Sequence, residues 1–261
     1  MRLLLAAVLI AAAGWSGYWW YGSGAENRAV RGWFAARDWA GFDTARTAGF
    51  PNRLDTRVQA PWLVAPDIDL TWSAPFVDLL RLSYRPGHYI LALPETQFWR
   101  STDLTVTLNS DTAQASVVFD GDPLQRASFV FDGVRLTSDA GWTARAQSLR
   151  IATDRTGPAT HRVGLEAEAL VVGNQPFALR ITGDITLDAQ NRPAGTLVAE
   201  IGDWPEALRL AARLGWLSAD QFDGFLASAP LRPTGIPIVL KDGLVSLGGV
   251  TVGETPRLPV F

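Results

Sequence analysis

Residues Ser116–Gly121 read SVVFDG, and residues Ser128–Gly133, twelve positions later, read SFVFDG. Each copy is a short run of β-branched and aromatic residues followed by Asp-Gly, a pattern typical of a strand that ends in a tight turn. A strand-plus-turn unit of this length predicts neighbouring strands of an antiparallel meander. The echo is too brief to predict a repeat architecture.

The same alternation extends outward from this stretch, from about Gly41 to Ile201. Apolar and polar residues alternate at Ile68-Leu70-Trp72, Leu104-Val106-Leu108 and Val163-Leu165-Ala167, which places apolar side chains on one face of each strand. Turn signals separate the runs at Pro51-Asn52, Pro86-Gly87, Asp120-Gly121, Asp132-Gly133, Gly183-Asp184 and Asp242-Gly243. We therefore predict a mainly β fold, a large curved antiparallel sheet with one dry face.

Two helical segments follow the strands. Asp203 can cap the first, with Pro205 in its first turn and Glu206 in the capping-box position, and Gly215 can end it. Ser218 and Gln221 can cap the second. We expect this pair to pack on the apolar face of the sheet. A hairpin around Asp242-Gly243 then joins strands over Ile236–Leu240 and Leu244–Val252.

The N-terminal stretch Leu3–Tyr21 carries no charge over 19 residues. A helix of this length reaches roughly 28 Å, close to the ~30 Å hydrocarbon core of a bilayer. It predicts residues 1–24 as a transmembrane anchor and linker, and residues 25–261 as a single β-rich domain. A cleaved signal peptide ending near Ala11-Ala12-Ala13 is the alternative.

Five aromatic residues at the far end of this stretch are typical of a membrane interface. They are Trp15, Tyr18, Trp19, Trp20 and Tyr21. We expect the N-terminus in the cytoplasm, and therefore a single-pass protein of the bacterial inner membrane whose C-terminal domain lies in the periplasm. A polar linker over residues 22–27 and an amphipathic helix over residues 28–39, with Trp33 on its apolar side, are expected next.

Composition limits the possible partners. Of the 261 residues 48% are hydrophobic and 19% are charged, with a net charge of −3, so the chain can build a core and offers no basic patch for nucleic acid. There is no cysteine, which excludes disulfides and thiolate sites.

No catalytic motif withstands inspection. Asp67-Ile68-Asp69-Leu70-Thr71 and Gly183–Asp188 resemble motifs of haloacid-dehalogenase-type phosphatases, but the single lysine, Lys241, follows the second motif instead of preceding it. The intervening sequence also lacks the helices of a parallel α/β sheet. His88 and His161 stand apart from other metal-ligating residues. We predict no catalytic residue, no metal site, no cofactor and no enzymatic activity.

Aromatic residues crowd one part of the predicted sheet. The chain has 11 Trp and 12 Phe, and this cluster can form either a packed core or an apolar groove for an acyl chain. The candidate groove residues are Trp62, Trp72, Phe76, Tyr84, Phe98 and Trp99.

Several short motifs, in this order, resemble one bacterial family. They are Gly49-Phe50-Pro51-Asn52-Arg53-Leu54, Trp72-Ser73-Ala74-Pro75, Tyr84-Arg85-Pro86 with Pro94, and Asp242-Gly243-Leu244-Val245-Ser246-Leu247-Gly248. The chain resembles the proteobacterial domain of unknown function 2125 over nearly its whole length. The resemblance implies a place in the cell envelope and carries no established activity or functional residues. An anchor followed by a long antiparallel sheet is also similar, more loosely, to AsmA-like inner-membrane proteins, whose β surfaces form lipid grooves.

Three functions stay open at this point. The first is a non-enzymatic envelope protein that binds or conveys lipid, which an apolar face sealed by the helices would argue against. The second is a scaffold or protein-interaction module that docks through a sheet edge or the Trp33 helix. The third, remote, is an unrecognised hydrolase.

Overall fold

The structure is a computed structural model, and it describes residues 2–121, 123–228, 235–255 and 257, without the side chains of residues 2–4, 66 and 228. Within these residues there are three α-helices and one short 3-10 turn. They are α1 (Arg2–Ala35), α2 (Trp204–Arg213), α3 (Ala219–Ser228) and the turn Pro66–Ile68.

Eighteen strands of the described chain form one antiparallel sheet. In chain order they are β1 (Ala40–Gly41), β2 (Thr44–Ala48), β3 (Arg53–Gln59), β4 (Trp62–Ala65), β5 (Leu70–Ser73), β6 (Phe76–Leu82), β7 (His88–Ala92), β8 (Thr96–Arg100), β9 (Thr105–Asn109), β10 (Thr112–Phe119), β11 (Leu124–Ser138), β12 (Thr143–Arg155), β13 (Thr160–Val172), β14 (Gln175–Leu187), β15 (Pro193–Ile201), β16 (Ile236–Lys241), β17 (Leu244–Leu247) and β18 (Val250–Glu254).

The first ten strands are the halves of five long strands that bend in the middle. β3 pairs with β6 while β4 pairs with β5, and the same double pairing joins β5–β6 to β7–β8 and β7–β8 to β9–β10. Pro61, Pro75 and Pro94 lie at three of the bends, where a residue without an N–H interrupts the ladder. From β11 to β18 each strand pairs with the next. The predicted antiparallel meander is confirmed, and no pairing between its first and last described strands closes it.

Gly133 lies inside β11, although Asp132-Gly133 predicts a turn. Its φ of 60° favours glycine, and a Cβ there would also lie 2.0 Å from Asp111 Oδ2. The kink lets the first half of β11 pair with β10 and the second half with β9. Gly183 likewise lies inside β14, where a Cβ would meet the carbonyl oxygen of Thr196 at 2.3 Å. Both predicted turns were wrong.

The two faces of the sheet differ sharply in polarity. Residues opposite each other in antiparallel strands share a face, and one almost wholly apolar row crosses ten strands. This middle row comprises Thr56, Leu79, Leu91, Ala115, Phe129, Ile151, Leu165, Ile181, Ala199 and Ile236. On the other face Arg150, Glu166, Arg180 and Glu200 oppose one another with alternating charge.

Both predicted caps of the helical pair are confirmed. The Asp203 carboxylate accepts a hydrogen bond from Glu206 N at 3.3 Å, and Ser218 and Gln221 bond reciprocally, each side chain to the other's backbone N–H. Packing on the apolar face is observed for α2. Leu210 of α2 packs in a cluster with Phe177 and with Ile201, which lies two residues beyond Ala199 of the middle row.

α1 is one continuous helix. It runs through residues 22–27, which the sequence predicts as a linker, and through Glu26, Arg28 and Arg31. No helix of the described residues is long and apolar enough to cross a membrane, so the predicted transmembrane helix is not found. α1 packs on strands β1, β2 and β3 of the sheet. The division at residue 24 into an anchor and a domain stays a prediction.

Candidate functional site

The middle row is left uncovered between the helices. α1 packs on β1–β3 and α3 on β18, while apolar side chains of α2 contact Ala144, Val172 and Phe177. Between them lies a run of four row residues, each at least partly exposed, on neighbouring strands. This open stretch comprises Phe129, Ile151, Leu165 and Ile181.

The open stretch has the dimensions of a lipid chain. Ile151, near its centre, is 39% exposed, although Leu149 before it on the strand and Phe129 and Leu165 across from it are apolar. Three strand spacings from β11 to β14 extend roughly 14 Å, about half of a ~30 Å hydrocarbon core. An apolar strip of this length can therefore receive one extended hydrocarbon chain.

α1 is attached beside this face by side chains that donate to backbone carbonyls of the sheet. Trp15 Nε1 donates to Pro51 O at 2.7 Å, Trp19 Nε1 to Arg53 O at 2.7 Å, and Tyr18 Oη to Ser83 O at 3.0 Å. Three of the five predicted interface aromatics thus hold the helix to the domain.

The other two predicted interface aromatics, Trp20 and Tyr21, are 77% and 70% exposed. The preceding turns of α1 are apolar and exposed as well, including Leu5, Leu9 and Ile10. The N-terminal end of α1 therefore presents apolar surface with two aromatic rings at its boundary.

A buried ion pair lies where α1 meets the apolar face. Arg81 NH2 donates to Glu26 Oε2, and Glu26 is 5% exposed. Burial raises the pKa of the Glu26 carboxyl, although Arg81 opposes the shift. Burial and the nearby Glu26 also raise the pKa of Tyr89, whose ring lies 5.5 Å from the Arg81 guanidinium. This polar group is enclosed by apolar surface.

A cleft of ≈ 410 Å³ opens beside Tyr89. It is lined by Pro86, Gly87, Tyr89, Phe119 and Gly121, and the rings of Tyr89 and Phe119 meet edge to face at 6.3 Å. Tyr89 therefore belongs both to this cleft and to the polar group around Arg81.

Comparison with known proteins identifies the family. The profile of a bacterial family described as "Uncharacterized protein conserved in bacteria (DUF2125)" matches residues 19–179 and 171–256. The chain belongs to the DUF2125 family. No curated protein and no solved structure matches it. The family assignment confirms the resemblance seen in the sequence motifs, whereas the looser similarity to AsmA-like proteins stays a prediction.

The aromatic residues proposed as a groove in this DUF2125 chain do not converge. Trp72 and Trp99 oppose each other on β5 and β8, and Trp99 packs with the core around Leu108 and Phe131. Trp62 and Phe98 both oppose Ser73 and so lie on the other face of those strands. Only Trp72 and Trp99 are brought together among these four.

The remaining two candidate groove residues lie elsewhere. The Phe76 ring contacts the Arg57 guanidinium at 4.4 Å, and Tyr84 is an exposed residue of the β6–β7 turn. Neither lies on the open stretch.

The carboxylates of the phosphatase-like motifs have structural partners in this family member. Thr102 N donates to Asp69 Oδ2 at 2.7 Å, and this bond lowers the Asp69 pKa. The Arg162 guanidinium binds Asp184 through two nitrogens and lowers its pKa. Among the described residues no group of three metal-ligating side chains could hold a metal ion.

Side chains occupy one backbone carbonyl on each outer strand. Asn27 Nδ2 and Arg31 NH2 each donate to Ala45 O of β2 at 3.0 Å. At the other edge Gln221 Nε2 donates to Thr251 O of β18 at 3.2 Å. These contacts occupy carbonyls that an added strand would need.

Sequence reasoning missed the open stretch and the Glu26–Arg81 pair. Val163-Leu165-Ala167 did indicate one dry face, but the row through Leu165 depends on the register of ten strands. One local feature of the sequence pointed to Arg81. It follows Val77 and Leu79 at alternate positions of β6 and so lies on the same face as these apolar residues.

Proposed function

We propose that this chain is a non-enzymatic protein of the bacterial cell envelope that binds the acyl chain of a lipid on its open stretch. The observation that carries the proposal is a continuous apolar row that the helices leave uncovered between α1 and α2. Uncovered apolar rows of this length are uncommon on soluble surfaces unless something binds there.

The energetics favour a hydrocarbon ligand. Each methylene group moved from water onto such a surface contributes up to about 0.8 kcal/mol. The row offers no hydrogen-bonding side chain from Phe129 to Ile181, so it suits a chain that needs no polar partner. Polar side chains of the opposite face, such as Arg150 and Glu166, keep the back of the sheet in water.

The N-terminal end of α1 supports a membrane-proximal location. Its exposed Leu5, Leu9 and Ile10, bounded by Trp20 and Tyr21, fit contact with the acyl and headgroup regions of a bilayer. We place the protein at the periplasmic face of the inner membrane, so that the open stretch can exchange lipid with that bilayer.

The scaffold function is the second candidate, and the structure offers less in its favour. One carbonyl of each outer strand is occupied by a side chain, and Trp33 packs edge to face on Phe34 and Trp39 of the same chain. The open stretch is an exposed apolar surface that a partner protein could cover instead of a lipid.

In-cell photocrosslinking tests the proposal with a matched pair of positions. A photoreactive benzoylphenylalanine replaces either Ile151, which is 39% exposed on the apolar face, or Val198, which is 38% exposed on the opposite face. The full chain is expressed in a Gram-negative bacterium, irradiated, purified and analysed by mass spectrometry.

We expect a lipid adduct at position 151 and none at position 198. Equal lipid labelling at the two positions, or none at either, would overturn the proposal. A protein adduct confined to position 151 would replace lipid binding with the scaffold function.

A further inference from the structure

Arg81 is an unusual residue for its position. It lies on the same face as the middle row, in the row beside it. In that row Arg81 of β6 is opposed by Leu54 of β3 on one side and by Tyr89 of β7 on the other, and Tyr89 is opposed by Val117 of β10. Its side chain is 12% exposed, and a buried guanidinium is costly without an anion. The anion comes from α1, outside the sheet, as Glu26.

The pair leaves part of the guanidinium unused. The recorded contact joins NH2 to Oε2, and Arg81 Nε is buried with no hydrogen-bond partner among the described residues. A guanidinium can hold an oxyanion by two parallel bonds, which is its strongest mode. Glu26 therefore satisfies the arginine incompletely, and burial disfavours its charged form.

Arg81 also lies within reach of the proposed ligand. From β11, where the open stretch begins at Phe129, three strand spacings lead through β10 and β7 to β6, roughly 14 Å. Tyr89 stands beside Arg81 on this path and lines the neighbouring cleft. A single chain as long as half of a ~30 Å hydrocarbon core, with its polar head at Arg81, therefore extends along the middle row past Leu91 and Ala115 to Phe129.

We propose that Arg81 binds the anionic head group, a carboxylate or a phosphate, of a lipid whose chain runs along the middle row to the near end of the open stretch at Phe129, and that Glu26 fills this position when the lipid is absent. This inference rests on the proposed function and names its ligand class, a singly chained anionic amphiphile. Binding then replaces the Glu26–Arg81 pair and frees one contact between α1 and the sheet.

The test compares dodecanoate, dodecyl phosphate and dodecanol, which share chain length and differ in head group. Titrations of the full chain measure their dissociation constants by calorimetry. One charged hydrogen bond to Arg81 strengthens binding by roughly 10-fold. We therefore expect dodecanoate or dodecyl phosphate to bind about 10-fold more tightly than dodecanol. The larger of these two preferences separates a carboxylate from a phosphate ligand.

Arg81→Gln is expected to abolish the preference and leave dodecanol binding unchanged. Glu26→Gln is expected to tighten anion binding several-fold, because a neutral amide competes less well for Arg81. Arg150→Gln, on the opposite face, removes the same charge and is expected to change neither. Arg81→Gln leaves the buried Glu26 carboxylate without its cationic partner. The double variant Glu26→Gln with Arg81→Gln is therefore measured alongside it.

The outcomes separate the two proposals. If no probe binds the unmodified chain, the proposed function itself fails. If dodecanol and the anions bind equally, or the preference survives in the double variant, lipid binding stands and the role of Arg81 is overturned.

Discussion

α1 and α2 pack on one sheet by different physical means. α1 is attached by directional bonds as well as by ring contacts. Indole and phenol groups of Trp15, Tyr18 and Trp19 donate to backbone carbonyls, and Glu26 pairs with Arg81. The rings of Trp19 and Phe34 also contact those of Phe50 and Phe42. α2 is attached by apolar contact, in which Ala207, Leu210 and Leu214 pack with Ala144, Val172 and Phe177.

The difference bears on which contact can change. Hydrogen bonds replace bonds to water and contribute only about 1 kcal/mol each, while burial of an aromatic side chain contributes more and needs no exact geometry. The polar part of the α1 contact therefore depends on charge and on competing polar groups, and the α2 contact depends on packed volume. A head group can compete for Arg81, but nothing comparable can displace Leu210.

The largest effect is expected at the apolar contact. Phe177→Ala would leave a cavity between β14 and α2, and we expect it to lower the free energy of unfolding by about 3 kcal/mol or more. Leu187→Ala is the matched control, since Leu187 is an exposed residue of the same strand and we expect a loss of about 0.5 kcal/mol or less. Urea denaturation followed by tryptophan fluorescence measures both. Equal losses would show that α2 contributes little to the fold.

The comparison also shows what the sequence could predict. The caps of α2 and α3 are local, because Asp203 and Ser218 bond to residues three positions away. Contacts between residues this close in the chain can be predicted from the sequence. The α1 contact cannot, since Tyr18 and Ser83 are 65 residues apart. From the sequence alone, the aromatic residues of α1 fit a membrane interface as well as they fit a contact with the sheet.

The features of the sheet likewise differ in whether the sequence could predict them. Alternation predicts that strands exist, but a shift of one residue at a bend moves a side chain to the other face. Phe98 and Trp99 are consecutive on β8 and so lie on opposite faces, and the pairing of the strands places Trp62 on the face of Phe98 and Trp72 on the face of Trp99. Gly133 could mark either a turn or a kink, and only the approach of Asp111 decides between them.

The α1 contact is expected to respond to pH through Glu26. Its pKa is raised above the ordinary 4.5, so as pH rises past 4.5 the unfolded chain loses this proton first. The stability that Glu26 contributes is present below pH 4.5 and is lost as pH rises through the folded-state pKa. Asp184 and Glu206, whose pKa values are lowered by arginine partners, act in the opposite direction.

A difference measurement isolates Glu26 from those groups. We expect the unmodified chain to lose stability relative to Glu26→Gln as pH rises through this window, in parallel urea denaturations of the two proteins. The α2 contact has no titrating group in its apolar cluster, so Phe177→Ala is expected to show the same pH dependence as the unmodified chain. A difference between the unmodified chain and Glu26→Gln that grows in the other direction would mean that Arg81 outweighs desolvation.

The smallest effect is expected at the start of α2. Asp203→Ala removes the carboxylate that accepts from Glu206 N and places alanine at a φ of 51°, and we expect a loss of about 1 kcal/mol. Asp203→Asn is the control, because asparagine caps helices nearly as well and tolerates this backbone conformation. If the loss is confined to urea denaturation while lipid photocrosslinking at position 151 is unchanged, α2 serves only to cover the sheet. If Asp203→Ala also alters labelling at that position, the open stretch ends where α2 begins, and the apolar contact would limit the length of the bound chain.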